Sequence, residues 1–518
     1  MAHALTVADL FAPHAVLQRE APIRIWGEAG AGAGISVALV RDTPGGATLA
    51  SATATAGSTG GWELELPAQS ASDTGSACAL VVTSGTDELR IAPIHIGDVW
   101  LCSGQSNMNF LMRPYLPWSE GVLDWEGEVA AAGDPLLSVY TVVPIADWQP
   151  TDAVHGSWRP DTTQYAPYFS AVPYLFAREI RAQQDVPVGV IVASLGGTSI
   201  MAWLPTDELQ ARNLAAANLS THATRRAQYA DELDAYYEQQ LPAYIEDSLQ
   251  NHWAPTYAAA YSEPYPNWRY QPGGLYHGMI GPLERFPVAG IVWYQGESDT
   301  RNHGTYDDYL TALAEVWRGR RNDPDLPLLV VQLQNHDPVE RGSDPALFTD
   351  VWAEMRLVQQ QTVESLPAAG FVVTADVGDA LNIHPRDKHT VVKRLGLLAR
   401  RLAYGDRWVL DEGPAPLAAS VDAGGKVVIS FDHCPCGMVL DSTRANGDGP
   451  DFQLAGADGV FHAAEATVLD RHRLEISSAN VSVPMQLRYA FHNDPRLILY
   501  NREGLPAAPF NLTLTPVP

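Results

Sequence analysis

The sequence predicts a mixed α/β protein, a three-layer α/β/α domain on a parallel sheet flanked by β-sandwich-like domains. Three observations lead there. Residues 5–95 read as short strands joined by turns. From Gly97 onward apolar strands alternate with helical stretches, the pattern of parallel strands linked by helical crossovers. After Gly405 the strand-only pattern returns.

The elements follow in order. Ile35–Val40 is a short apolar strand, and Ala50–Ala56 alternates alanine with Ser and Thr. Gly60–Pro67 alternates cleanly, and Ala79–Thr83 follows a Ser/Asp/Gly turn, so residues 1–96 suit a small β-sandwich. The central domain is expected over 97–404, with strands at Val99–Cys102, Val188–Ser194, Gly290–Tyr294, Leu328–Leu333 and Gly370–Ala375. Residues 204–250 are largely helical and charged, longer than a crossover needs, and read as an insertion shaping one wall of a cleft. The helix Val391–Tyr404 closes on Arg400, Arg401 and Gly405, cations and a glycine where a helix end favours them. A β-rich domain over 405–518 is expected from Lys426–Phe431, Phe452–Leu454, Arg473–Ile476 and Met485–Tyr489. Whether the two β-rich segments form one domain or two stays open.

A chain of 518 residues with a formal charge of −27 and a pI near 4.8 repels nucleic acid and anionic membranes, so neither is expected as a partner. A neutral polysaccharide or small ester is compatible with such a surface. Four cysteines are too few for a disulfide scaffold, and Cys78 and Cys102 read as buried thiols. His433-Cys434-Pro435-Cys436 lacks a second ligand pair, so no metal is expected. Met1–Leu5 has neither the basic start nor the apolar run of a signal peptide, and no window offers about 18 apolar residues for a membrane span. The expected location is cytoplasmic, or secreted or periplasmic if a leader has been removed. Oligomeric state is not legible.

The chemistry concentrates in three loops. Gly104-Gln105-Ser106-Asn107-Met108 follows the apolar run Val99–Cys102, a layout that lifts a serine hydroxyl above a sheet edge. Gly290–Tyr294 runs into the polar turn Gln295-Gly296-Glu297-Ser298-Asp299. Asn382-Ile383-His384-Pro385-Arg386-Asp387-Lys388 sets one histidine in a polar loop before a helix. Serine, amide and histidine at three strand ends are the parts needed for acyl transfer. Ser106 is the candidate nucleophile and His384 the base that activates it. Ser103 is the local rival. Oxyanion donors are expected from the Ser106 N–H at a helix start, from the Gly196-Gly197 turn after Val188–Ser194, and from the Gln295 amide.

These blocks resemble the signatures of the sialate O-acetylesterase family, a branch of the SGNH (GDSL-like) hydrolases: Gly97–Met108, Trp293–Ser298 and Ile383–Lys388. Val16–Arg19 with Ile25-Trp26-Gly27 resembles its opening, and Tyr500–Ala507 its closing segment. The resemblance implies a serine esterase removing O-acetyl groups from a carbohydrate, either sialic acid or a plant saccharide, without metal or organic cofactor. A lipid or short-chain carboxylester hydrolase on the same fold, or a carbohydrate-binding protein with little activity, are the alternatives. The sequence departs from the wider SGNH pattern where an aspartate stands three residues before the histidine: here it is Leu381. The orienting group is then the Leu381 backbone carbonyl, Asp379 or Asp376, or Glu297. Trp203 and Tyr276 are candidate sugar platforms.

Overall fold

A computed structural model describes residues 4–72, 76–117, 119–251, 271–443, 447 and 449–515. The first three residues, part of the amino-terminal reading above, lie outside that set. The fold is mixed α/β, with a central, mostly parallel sheet and an antiparallel sheet. The chain forms two compact units: Met1–Trp293 with Ala312–Leu328, and Tyr294–Thr311 with Leu329–Pro518.

The first unit is organised by a single 18-residue strand, Asp87–Gly104. Its first half pairs antiparallel with Cys78–Ser84, which pairs with Gly34–Arg41, itself paired with Thr48–Thr55. Ile23–Glu28 and Gly61–Leu66 form a separate antiparallel pair. The strand then continues through Gly97, the position where the sequence suggested a domain boundary. Beyond it the strand lies parallel to Val188–Ser194, which lies parallel to Leu137–Val142, with Gly156–Pro160 antiparallel at the edge. Strand Gly290–Tyr294 flanks its other side.

Burial explains the change in pattern along this strand. Ile94 to Gly104 is buried at every residue, as is all of Val188–Ser194. A strand covered on both faces is mostly apolar, its buried polar residues needing partners, whereas the half-covered strands Gly34–Arg41 and Gly61–Leu66 alternate. Helix Ala171–Gln184 packs on Val188–Ser194 and Leu137–Val142. The register is pinned next to Gly97. A Cβ at that position would overlap the Pro187 carbonyl, so the chains approach only because the residue is glycine. Beside it, Arg19 donates to both oxygens of the buried Asp98, at 2.7 and 3.0 Å.

The segment read as a helical insertion is helical, with Thr206–Ala211, Ala216–Gln228, Ala230–Ala235 and Leu241–Asn251. Among the described residues no helix is long and apolar enough to cross a membrane.

In the second unit, helices Val351–Ser365 and His389–Leu402 pack on strand Ala369–Val372. The latter helix starts two residues earlier than its apolar pattern suggested and carries Arg400 and Arg401 in its last turn. The carboxy-terminal part is a seven-stranded sheet running Ala415–Val421, Val427–Asp432, Arg473–Ser477, Phe461–Val468, Phe452–Ala455, Gln486–Tyr489, Phe510–Thr513. All its pairings are antiparallel. Its apolar core includes Val373 and Ala375, just past the end of strand Ala369–Val372. The β-rich tail is therefore continuous with the α/β part of its own unit.

Gly97→Ala is expected to lower stability by about 1–3 kcal/mol, because the added methyl has nowhere to go. Urea unfolding checks this, with Gly61→Ala, which meets open space, as the control. Equal midpoints for the two variants would contradict the assigned register.

Candidate active site

The first unit carries Ser106 and the Gly196-Gly197 turn. Strand Asp87–Gly104 stops at Gly104, whose φ of 141° lies in the region that favours glycine. The Gln105 carbonyl then accepts from the N–H of Met108 at 3.0 Å and of Asn109 at 2.9 Å, closing one tight turn. Gln105, Asn107 and Met108 are buried, while Ser106 between them is partly exposed. Ser103, the local rival, is fully buried within the strand. Of the two candidates, Ser106 is therefore the more exposed. The expectation of a helix starting at Ser106 is corrected: residues 106–108 form a turn only, so no helix dipole stands behind its N–H.

Parallel pairing brings the glycine turn alongside. Ser194 is in register with Gly104, and the Leu195 N–H donates to the Gly104 carbonyl at 3.1 Å. The chain then reverses through Gly196 and Gly197, the latter at φ 70°. The Thr198 hydroxyl fastens this turn by donating to the Leu195 carbonyl at 2.8 Å. Ser106 and Gly196-Gly197 thus stand at the ends of adjacent strands, where ligands collect in open α/β sheets.

The two proposed sugar platforms are corrected. Trp203 is completely buried, edge-on to Trp293, and its indole N–H donates to Thr198 Oγ1 at 3.1 Å. Tyr276 is buried, with its hydroxyl on the Glu284 carboxylate. Neither ring has a face left for a sugar, and the sequence could not distinguish core aromatics from exposed ones.

The second unit carries Gln295, Glu297 and His384. Gln295 is fully buried and its orientation is set by neighbours. Its Nε2 donates to Asp299 at 2.6 Å, and its Oε1 accepts from the Tyr306 hydroxyl at 2.9 Å. Its backbone carbonyl accepts from Gln359 Nε2 at 3.0 Å, and Gln359 Oε1 accepts from the Leu333 N–H at 2.9 Å. Glu297, two residues on, is also buried.

His384 is partly exposed in a loop held by short polar contacts. Its N–H donates to Asn382 Oδ1 at 3.0 Å, and the preceding Ile383 carbonyl accepts from Gln334 Nε2 at 2.9 Å. Asp379 Oδ1 accepts from the N–H groups of Leu381 and Asn382, at 2.8 and 3.2 Å. Both oxygens of Asp376 accept from Arg394, at 2.7 and 2.6 Å, and one also from the Tyr500 hydroxyl at 3.1 Å. Asp376 and Asp379 therefore both have structural duties in this loop. The side chain of Leu381 is exposed.

Sequence reasoning assigned no role to Lys388. Lys388 is fully buried, with its Nζ 5.6 Å from the centre of the Tyr294 ring. Burial pushes its ammonium down to about 7, opposed by the charges of Glu297 and Asp387. The one available clue was its place in the Ile383–Lys388 block.

With this geometry in hand, comparison with known proteins becomes informative. The sequence profile of a family described as carbohydrate esterase, sialic acid-specific acetylesterase matches residues 96–246 and 258–403. The chain belongs to this family. Human sialate O-acetylesterase is 30% identical over 345 residues, covering 63% of this chain and 57% of the human protein. The rat protein of the same name is 27% identical over 426 residues, covering 77% of this chain and 74% of its own length. The matched region therefore spans little more than half of the human relative. A crystal structure of a carbohydrate acetylesterase from Xanthomonas citri superposes with a TM-score of 0.77 at 32% identity, covering 98% of this chain and 99% of that one. Both profile segments include the candidate residues: Ser106, Gly196 and Gly197 in the first, Gln295 and His384 in the second.

The buried Lys388 makes a pH prediction. Unfolded lysine titrates near 10.4, so between about pH 7 and 10 the unfolded chain holds a proton that the folded one has released. Stability from this group therefore rises with pH across that window, approaching about 1.4 kcal/mol per unit. Urea unfolding of wild type and Lys388→Met at pH 7, 8 and 9 should show the difference shifting in favour of wild type as pH rises. A pH-independent difference would mean that Lys388 is not held in a neutralising environment.

Proposed function

We propose that this chain is a serine esterase that removes O-acetyl groups from a carbohydrate, on a three-layer SGNH-type domain. What carries the reading is the Ser106 turn. It offers one partly exposed serine at a glycine-hinged strand end, beside a Gly-Gly turn on the neighbouring strand, within a chain of the carbohydrate esterase family. Sialic acid and plant saccharide esters both suit these residues, and the substrate named for the relatives is theirs.

In the proposed reaction His384 takes the proton of the Ser106 hydroxyl as its Oγ attacks the acetyl carbonyl carbon. The oxyanion is held by the N–H of Ser106, by the Gly196-Gly197 turn and by the Gln295 amide, whose orientation Asp299 and Tyr306 set. The tetrahedral intermediate collapses to an acetyl-enzyme, and His384 returns the proton to the departing sugar oxygen. Water, deprotonated by His384, then attacks the acetyl-enzyme, and the second tetrahedral intermediate collapses to acetate as His384 returns the proton to Ser106 Oγ. For the group that orients His384 we favour the Leu381 carbonyl, because Asp376 is engaged by Arg394 and Tyr500 and Asp379 by backbone N–H groups.

Acetate release should be measured across acetylated sialic acid, xylan and xyloglucan fragments, with an octanoyl ester for comparison. Ser106→Ala is expected to remove activity on every substrate while leaving the fold intact. A residual rate above about a hundredth of wild type would put the nucleophile elsewhere, since loss of such a serine costs many orders of magnitude. Comparable turnover of the octanoyl ester would favour a lipid esterase.

Asp379→Asn tests the orienting group. A less than about tenfold loss of kcat fits the carbonyl, whereas a loss near 10⁴, the cost of replacing a triad aspartate, would make Asp379 the acid.

A further inference from the structure

We propose that Tyr294 clamps the His384 loop from both sides, with Gln334 and Lys388 as its two arms, and so acts as a positioning residue for the base. The inference rests on His384 being the base of the proposed reaction. On the amino-terminal side of His384, the Tyr294 hydroxyl donates to Gln334 Oε1 at 3.0 Å, and Gln334 Nε2 donates to the Ile383 carbonyl at 2.9 Å. On the carboxy-terminal side, Lys388 Nζ lies 5.6 Å from the centre of the Tyr294 ring. His384 sits between these attachment points, one residue after Ile383 and four before Lys388. Tyr294, Gln334 and Lys388 are all fully buried, where polar contacts are stronger than in water. Glu297 acts electrostatically on both Tyr294 and Lys388, which ties the clamp to the turn that carries Gln295.

A loop of polar residues has many conformations of similar energy, and a base must hold its nitrogen within a fraction of an ångström of the proton it removes. Two attachments from one rigid strand-end residue restrict the loop on both flanks of the histidine. Gln295 directly follows Tyr294, so the same residue couples the placement of a proposed oxyanion donor to that of the base.

The clamp is tested with Tyr294→Phe, which removes the first arm and keeps the ring, and Lys388→Met, which removes the second. At a temperature well below unfolding, each is expected to lower kcat for an acetyl ester by about tenfold or more while KM stays within about twofold. The rate of Ser106 labelling by a fluorophosphonate should fall in step, because it depends on the same base. Wild-type kcat and labelling rate in Tyr294→Phe, with only a lowered melting temperature, would overturn the clamp. Because Lys388→Met leaves Glu297 buried without its cation and can fail to fold, Tyr294→Phe alone decides in that event. Ser106→Ala, run in parallel, separates the two readings. Activity surviving in it removes the esterase site itself, while its loss alongside an unimpaired Tyr294→Phe removes only the clamp.

Discussion

The constraint on which the first unit depends is the continuity of strand Asp87–Gly104. One strand pairs with Cys78–Ser84 at its start and with Val188–Ser194 at its end, so both registers are determined by the same backbone. A one-residue slip would turn every buried side chain of its second half to the opposite face. Several contacts oppose such a slip at one level: Gly97 against Pro187, the Arg19–Asp98 ion pair, and the Val99 N–H on Gln18 Oε1 at 2.8 Å. The end of the strand, and with it Gly104 and Ser106, is therefore placed by interactions several residues upstream.

The second unit solves a different problem. Its candidate site residues lie on loops, which lack a ladder of backbone hydrogen bonds, so buried side chains supply the missing partners. Gln359 serves the carbonyl after Tyr294 and the N–H of Leu333. Asp379 serves two successive N–H groups before His384. Gly378 lets the same loop pass against Asn335, whose amide in turn donates to Asp494 at 2.5 Å. The carboxy-terminal part of the chain thus contributes Asp494, in a loop, and Tyr500, on strand Leu499–Asn501, to the support of the loop that bears His384.

Most strands were legible because burial on one face or two writes period-two alternation or unbroken apolar runs directly into sequence. Val188–Ser194 and Gly290–Tyr294 occur at the residues read, and the ends of the others differ by a few positions. Composition could not show that the strand beginning at Asp87 passes through Gly97 without interruption, because a change of covering layers changes the pattern without breaking the backbone.

For the candidate site, the sequence by itself determined the chemical inventory: serine after a glycine hinge, a glycine pair, an amide and a histidine at strand ends. Those identities depend on local backbone needs and reactivity, which neighbouring residues specify. Tertiary structure alone decided which side chains are accessible and which are committed. It buried Trp203, Tyr276, Ser103 and Lys388, left Ser106 partly open, and engaged Asp376 with Arg394. The physical reason is that desolvation and pairing depend on residues far apart in sequence. Lys388 meets Tyr294 across 94 positions, and no local pattern records such a meeting.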